Sequence, residues 1–74
     1  GQIETLQFHI KEANKMTAKP LSQLKLKKEV LIAAIIRKGK TIFPTGEDML
    51  EVGDKLLVTT LLPNITKIYD LIAR

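Results

Sequence analysis

The chain is 74 residues long and carries 12 Lys and Arg against 8 Asp and Glu, a net charge of +4 at pH 7, with 45% hydrophobic but only 4% aromatic residues. One domain of this size buries only about 60% of the surface its unfolded chain exposes, so such abundant aliphatic surface points to a partner. The lack of cysteine excludes a disulfide frame and a thiolate zinc site and fits a reducing cytosol, and no apolar run reaches the roughly 20 residues of a membrane span.

Gly1 stands where an initiator Met would, and the opening residues lack the basic, apolar and small-residue order of a signal peptide. A module cut from a longer protein is expected, with one domain over residues 2–74. Leu6, Phe8 and Ile10 alternate with Thr5, Gln7 and His9, which predicts a half-buried strand from Ile3 to Lys11. Glu12 to Lys19 is polar and aperiodic and reads as a loop. Pro20, Leu21, Leu24 and Leu26 predict one helical or 3₁₀ turn whose leucines plug the core's edge.

Val30 to Ile36 is apolar at every position and rich in β-branched residues, the pattern of a strand covered on both faces. Because a single helix covers one face of a sheet, the other face is expected to meet a second subunit or domain. Arg37 to Lys40 form the hairpin turn, with Gly39 at positive φ. Thr41 to Phe43 continue the hairpin until Pro44, which has no N–H for the ladder. In the loop from Thr45 to Asp54, Met49, Leu50 and Val52 are expected to cap the core, and Gly53 turns the chain into a strand from Lys55 to Thr60. Asn64 predicts the N-cap of a final helix carrying Ile65, Ile68, Tyr69 and Ile72 on its buried face. The fold class is therefore α+β: a two-layer, mostly antiparallel four-stranded sheet with a helical turn after strand one and one C-terminal helix.

The residues offer little catalytic chemistry. Ser22 is the only serine and His9 the only histidine, and His9 lies on the outward phase of its strand, so neither a triad nor histidine ligation is supported. Glu47, Asp48, Glu51 and Asp54 form an acidic loop without the order of a calcium loop. The glycines are scattered over separate turns instead of one strand-to-helix junction, so no phosphate-cradling fingerprint is present. Asn64, Ile65 and Thr66 match a glycosylation triplet, which carries no weight inside a cytosolic helix. Basic clusters flank the apolar strand, Lys25, Lys27 and Lys28 before it and Arg37, Lys38 and Lys40 after it. They are the solvated ends of a buried strand or the charges of a phosphate site. Nucleic acid is disfavoured, because bases stack on exposed aromatics and Phe8 and Tyr69 fall on expected core faces.

The run "KPLSQLKL", then "VLIAAIIRKGKTIFPTGEDMLEVGDKLLV", then a terminal helix resembles the RCK C-terminal domain, also called the TrkA-C domain. The resemblance rests on Leu21, Leu24 and Leu26; on Ile32, Ile35, Arg37 and Gly39; on Ile42, Pro44, Gly46 and Leu50; and on Gly53, Asp54, Leu56 and Val58, in that order over nearly the whole chain. It implies a non-enzymatic regulatory domain of a cytoplasmic subunit that controls potassium or other cation transport. Such a subunit is a homodimer held at the inner membrane by a transporter or channel partner, without inserting into the membrane or binding nucleic acid. Some members bind cyclic di-AMP across the dimer two-fold, and the positions matching their contacts are Lys25, Leu26, Lys27, Val30, Leu31, Ile32 and Pro44. Those binders often carry an acid and an arginine where this chain has Lys25 and Lys27, and lysine offers phosphate a point charge without the bidentate fork. Two readings stay open: a ligand-sensing regulatory module, or a structural dimerisation module.

Overall fold

The computed structural model describes residues 2–73; Gly1, and Arg74 at the end of the expected 2–74 unit, lie outside it. Strands β1 (Glu4–His9), β2 (Val30–Arg37), β3 (Lys40–Ile42) and β4 (Lys55–Thr60) form one sheet in the order β1-β4-β2-β3. All three pairings are antiparallel, and Leu6, Val58 and Ile32 lie in register across the central strands. Single 3₁₀ turns at Lys15–Thr17, Leu21–Gln23 and Ile68–Leu71 cover one face. Between sheet and turns lie Ile10, Met16, Ile35, Leu50, Leu56, Val58 and Leu71, all nearly inaccessible to solvent. Leu21, Leu24 and Leu26 pack against this core half-buried, as their spacing leads one to expect.

A bulge in β2 explains why that strand reads as apolar throughout. Ile32 pairs with Val58 and Ala34 with Leu57, so Ala33 is an extra residue opposite no partner of its own. Ile32 and Ile35, three residues apart, therefore both face the core beside Val58 and Leu56. A bulge of this kind re-aims the side chains beyond it. Without it, Arg37 would fall in phase with Leu31 on the outer face; with it, Arg37 shares the inner face with Ile35. The outer face carries Leu31, which is 62% exposed, and the more sheltered Leu57, among Thr5, Gln7 and Thr59. Thus the outer side of β2 is open at Leu31, whereas Ala34, which pairs with Leu57 on the same face, is buried.

Several expectations need correction. β1 is shorter at both ends than Ile3 to Lys11. Only Leu50 of the loop trio is buried; Met49 and Val52 are exposed. The terminal helix is a single 3₁₀ turn. Asn64 is not its cap but sits at φ 64°, and the turn is instead held by Asp70 Oδ2, which accepts the N–H groups of Thr66 and Lys67 at 3.0 and 2.9 Å. Such local side-chain bonds compete with a helical ladder, and the segment is too short for helix propagation to overcome them. The chain then runs extended: Lys27 N–H donates to Leu71 O at 2.9 Å, Ala73 N–H donates to Lys25 O, and Ile72 bridges to Leu26. Tyr69 is consequently turned out to solvent, 52% exposed, while Ile65, Ile68 and Ile72 still pack on the core.

Candidate ligand cleft and the Arg37 clamp

The loop after β3 is tied to the turn at Leu21–Gln23 by backbone hydrogen bonds, from Leu21 N–H to Asp48 O and from Ser22 N–H to Gly46 O, both 2.9 Å. Gly46 permits this approach, since a Cβ there would stand 3.1 Å from that of Ser22. Where the loop and the turn meet β2, a cleft of about 210 Å³ opens, walled by Leu26, Val30, Leu31, Ile32, Pro44 and Gly46. Five of the seven site positions named from the sequence thus meet around one hollow. The two lysines do not. Lys25 lines a separate groove with Leu24 and Ile72. Half-buried Lys27 lines no part of the cleft. The Asp70 carboxyl is held below its ordinary value by the N–H groups of Lys67 and Thr66, against a smaller opposing effect of burial, with the Thr66 hydroxyl and the Lys27 charge adding to it.

The loop's other end is fixed by an ion pair between buried Asp54 and half-buried Arg37, residues that the sequence assigns to an acidic loop and a hairpin turn. Arg37 donates from Nε to Asp54 Oδ1 and from Nη2 to Asp54 Oδ2, both at 2.9 Å. The same Nη2 donates to Met49 O at 2.9 Å, and Nη1 meets Glu51 Oε2 at 3.0 Å. Asp54 has essentially no exposure and also accepts Glu51 N–H at 2.8 Å. Burial pushes its carboxyl up, but the hydrogen bonds from Arg37 and Glu51 and the Arg37 charge outweigh it and hold the group below the ordinary carboxylate value. The acidic loop is therefore engaged internally: Asp54 and Glu51 hold Arg37, and Asp48 accepts Thr45 N–H at 2.7 Å. The spacing of Arg37 and Asp54 gave no hint of this, since their meeting depends on the bulge at Ala33.

Tyr69, expected on a core face, is instead open and borders a groove with Lys15 and Ile72, and Phe43, just beyond β3, is 78% exposed. Phe8 is half-buried against the core as expected, and His9 is exposed on the outer face.

Among curated proteins, the Trk system potassium uptake protein TrkA homolog of Archaeoglobus fulgidus is 30% identical over 60 residues, covering 81% of this chain and 14% of that protein. The TrkA homolog 1 and homolog 2 of Methanosarcina mazei are 28% and 26% identical over 60 and 58 residues, covering 81% and 78% of this chain and 13% of each relative. The chain thus spans about one-seventh of the length of these relatives. Residues 6–73 match the family described as the TrkA-C domain, a span that takes in the cleft, the Arg37 clamp and all four strands beyond the first two residues of β1, and the chain belongs to that family.

Proposed function

We propose that this chain is a non-catalytic regulatory domain of a cytoplasmic subunit controlling transport of potassium or another cation, and that it acts as a homodimer sensing an anionic ligand. The observation that carries this reading is family membership across residues 6–73, together with relatives named as Trk potassium uptake proteins. No helix among the described residues is long and apolar enough to cross a membrane, so contact with the transporter is assigned to the full-length protein.

Dimerisation uses the uncovered outer face. Leu31 and Leu57 lie there, and Ile3 and Leu61 join Leu31 around a shallow hollow of about 300 Å³. Exposed Ile3, Leu31 and Leu61 gathered around one hollow, beside Lys28, Glu29 and Thr59, mark an interface on so small a body, and a two-fold pairs that face with itself most economically. The ligand is cyclic di-AMP, with Leu26, Val30, Leu31, Ile32 and Pro44 as the apolar wall and Lys27, which lines no part of the cleft itself, as charge beside it, while Lys25 belongs to the separate groove. One protomer's cleft, about 210 Å³, is below the roughly 300 to 1,000 Å³ of small-molecule pockets, so the site is complete only between two copies.

Sedimentation and calorimetry test the two parts separately. A dimer at micromolar concentration that binds cyclic di-AMP at one molecule per two chains is expected. A dimer without binding removes the sensing and leaves a structural dimerisation module; a folded monomer removes both.

A further inference from the structure

A second recess shares no lining residue with the Pro44 cleft. Two adjoining hollows, of about 570 and 440 Å³, share Lys15, Ile72 and Ala73. They are roofed by the turn at Lys15–Thr17, walled by Lys19 and Lys25, and bounded at the other end by Tyr69. Their volume falls in the range of small-molecule sites. No carboxylate among the described residues lines them, and Asp70, beside Tyr69 in sequence, is turned onto the Thr66 and Lys67 N–H groups. None of the three lysines has a salt-bridge partner among the described residues. Asn14 fixes the position of Lys15 by capping its turn, accepting Met16 N–H at 2.7 Å. The bridge between Leu26 and Ile72 holds the groove's two walls together.

We propose that this groove is a binding site for a small phosphate-bearing molecule with a planar ring, the phosphates met by Lys15, Lys19 and Lys25 and the ring by the Tyr69 face. Three lysines drawn from two segments line a recess that has no carboxylate among its described residues, so an anion placed there meets positive charge with no competing negative group beside it. Lysine is a phosphate binder of the point-charge kind, and a half-exposed tyrosine ring at the end of an aliphatic floor, Leu24 and Ile72, offers stacking surface. The site is independent of the cyclic di-AMP cleft, whose walls it does not share.

The test is a nitrogen-15 amide titration of the 74-residue chain at low salt with ATP, with inorganic tripolyphosphate and with adenosine. ATP and tripolyphosphate should shift amides of residues 15–25 and 69–73 in a saturable manner and leave residues 30–32 and 44–46 still, with ATP the tighter of the two. Adenosine should bind far more weakly. The double substitution Lys19→Glu with Lys25→Glu, at exposed positions, should weaken ATP by about tenfold or more, the size of one lost charge-assisted hydrogen bond. Tyr69→Ala should weaken ATP and leave tripolyphosphate unchanged. Shifts centred on Lys38 and Lys40, unsaturable shifts, or equal affinity in the double variant would overturn the site, and equal ATP affinity in Tyr69→Ala would overturn the role of the ring.

Discussion

Arg37 and Asp54 meet fork to fork across the inner face of the sheet, through two hydrogen bonds of 2.9 Å that join the end of β2 to the residue just before β4. Around this pair the loop from Pro44 to Gly53 is anchored, because Arg37 also binds Met49 O and Glu51. Removing one partner of a buried pair leaves the other charge unmatched and costs on the order of 3 kcal/mol or more. Arg37→Ala should therefore lower stability by about that amount in urea unfolding. Arg37→Lys should recover only part of it, since an ammonium cannot serve both carboxylate oxygens in one plane. Full stability in Arg37→Lys would mean that the planar fork is unimportant.

The same pair sets an acid limit. The folded Asp54 carboxyl is held below its ordinary value. Its contribution is therefore fully present above the unfolded value, about 3.9, and is lost as pH falls from there through the folded value. Asp70 is depressed as well, so the wild-type profile alone does not isolate Asp54. The stability gap between wild type and Asp54→Asn does: it should be constant from neutral pH to about pH 5 and shrink steadily below about pH 4. A gap of unchanged size down to about pH 2.5 would show that Asp54 does not carry the pH dependence.

Most of the sheet was legible in the sequence because its signals are local. Alternation at Leu6, Phe8 and Ile10 marks β1, and the glycine at position 39 marks the hairpin, where Lys38 and Gly39 have φ values of 51° and 76°. Five cleft positions were legible through family resemblance, which carries spacing that single residues do not. The misreadings have a common cause in tertiary competition. Ile65, Ile68 and Ile72 keep their buried face, yet Asp70 closes the turn and the 25–27 segment captures the following backbone, so helical periodicity ends in an extended edge. The bulge at Ala33 is likewise invisible in a run of seven apolar residues. With the bulge unseen, Arg37 reads as a turn residue.

That bulge makes a prediction of its own. Deleting Ala33, the residue without a partner, should leave Ile32 opposite Val58 and Ala34 opposite Leu57, so that plain alternation keeps Val30, Ile32, Ile35 and Arg37 on the inner face without a bulge. The deletion variant should therefore fold and retain the Asp54-linked acid limit. Loss of that limit in a folded deletion variant would show that the bulge geometry itself, and not the phase of the residues around it, seats Arg37.

Gly39 and Gly53 sit at φ values of 76° and 95°, and a Cβ on either would meet no atom within 4 Å. Any penalty for a side chain there is thus backbone strain and not a clash. Gly39→Val should cost on the order of 1 to 2 kcal/mol, because a branched side chain crowds the left-handed region, whereas Gly39→Asn should cost much less. Equal unfolding midpoints for the two variants would contradict a backbone origin.

Variants at two walls of the cleft separate the proposed dimerisation from the proposed ligand binding. Leu31 is 62% exposed, borders both the outer hollow and the Pro44 cleft, and makes no contribution to the inner core. A glutamate at this position places a like charge against its own symmetry mate in a two-fold interface, which is costly when desolvated, while leaving Val30 and Ile32 buried. Leu31→Glu should therefore sediment as a folded monomer and lose cyclic di-AMP together with its partner. Pro44→Ala, at the cleft's other wall, should remain a dimer and lose affinity alone. Lys27→Ala should keep the dimer, weaken the ligand in a manner that high salt erases, since screening acts over about 8 to 10 Å, and let the Asp70 carboxyl titrate closer to its ordinary value. A Leu31→Glu protein that stays dimeric would remove the outer face from the interface, and unchanged affinity in both Pro44→Ala and Lys27→Ala would remove the ligand from the cleft.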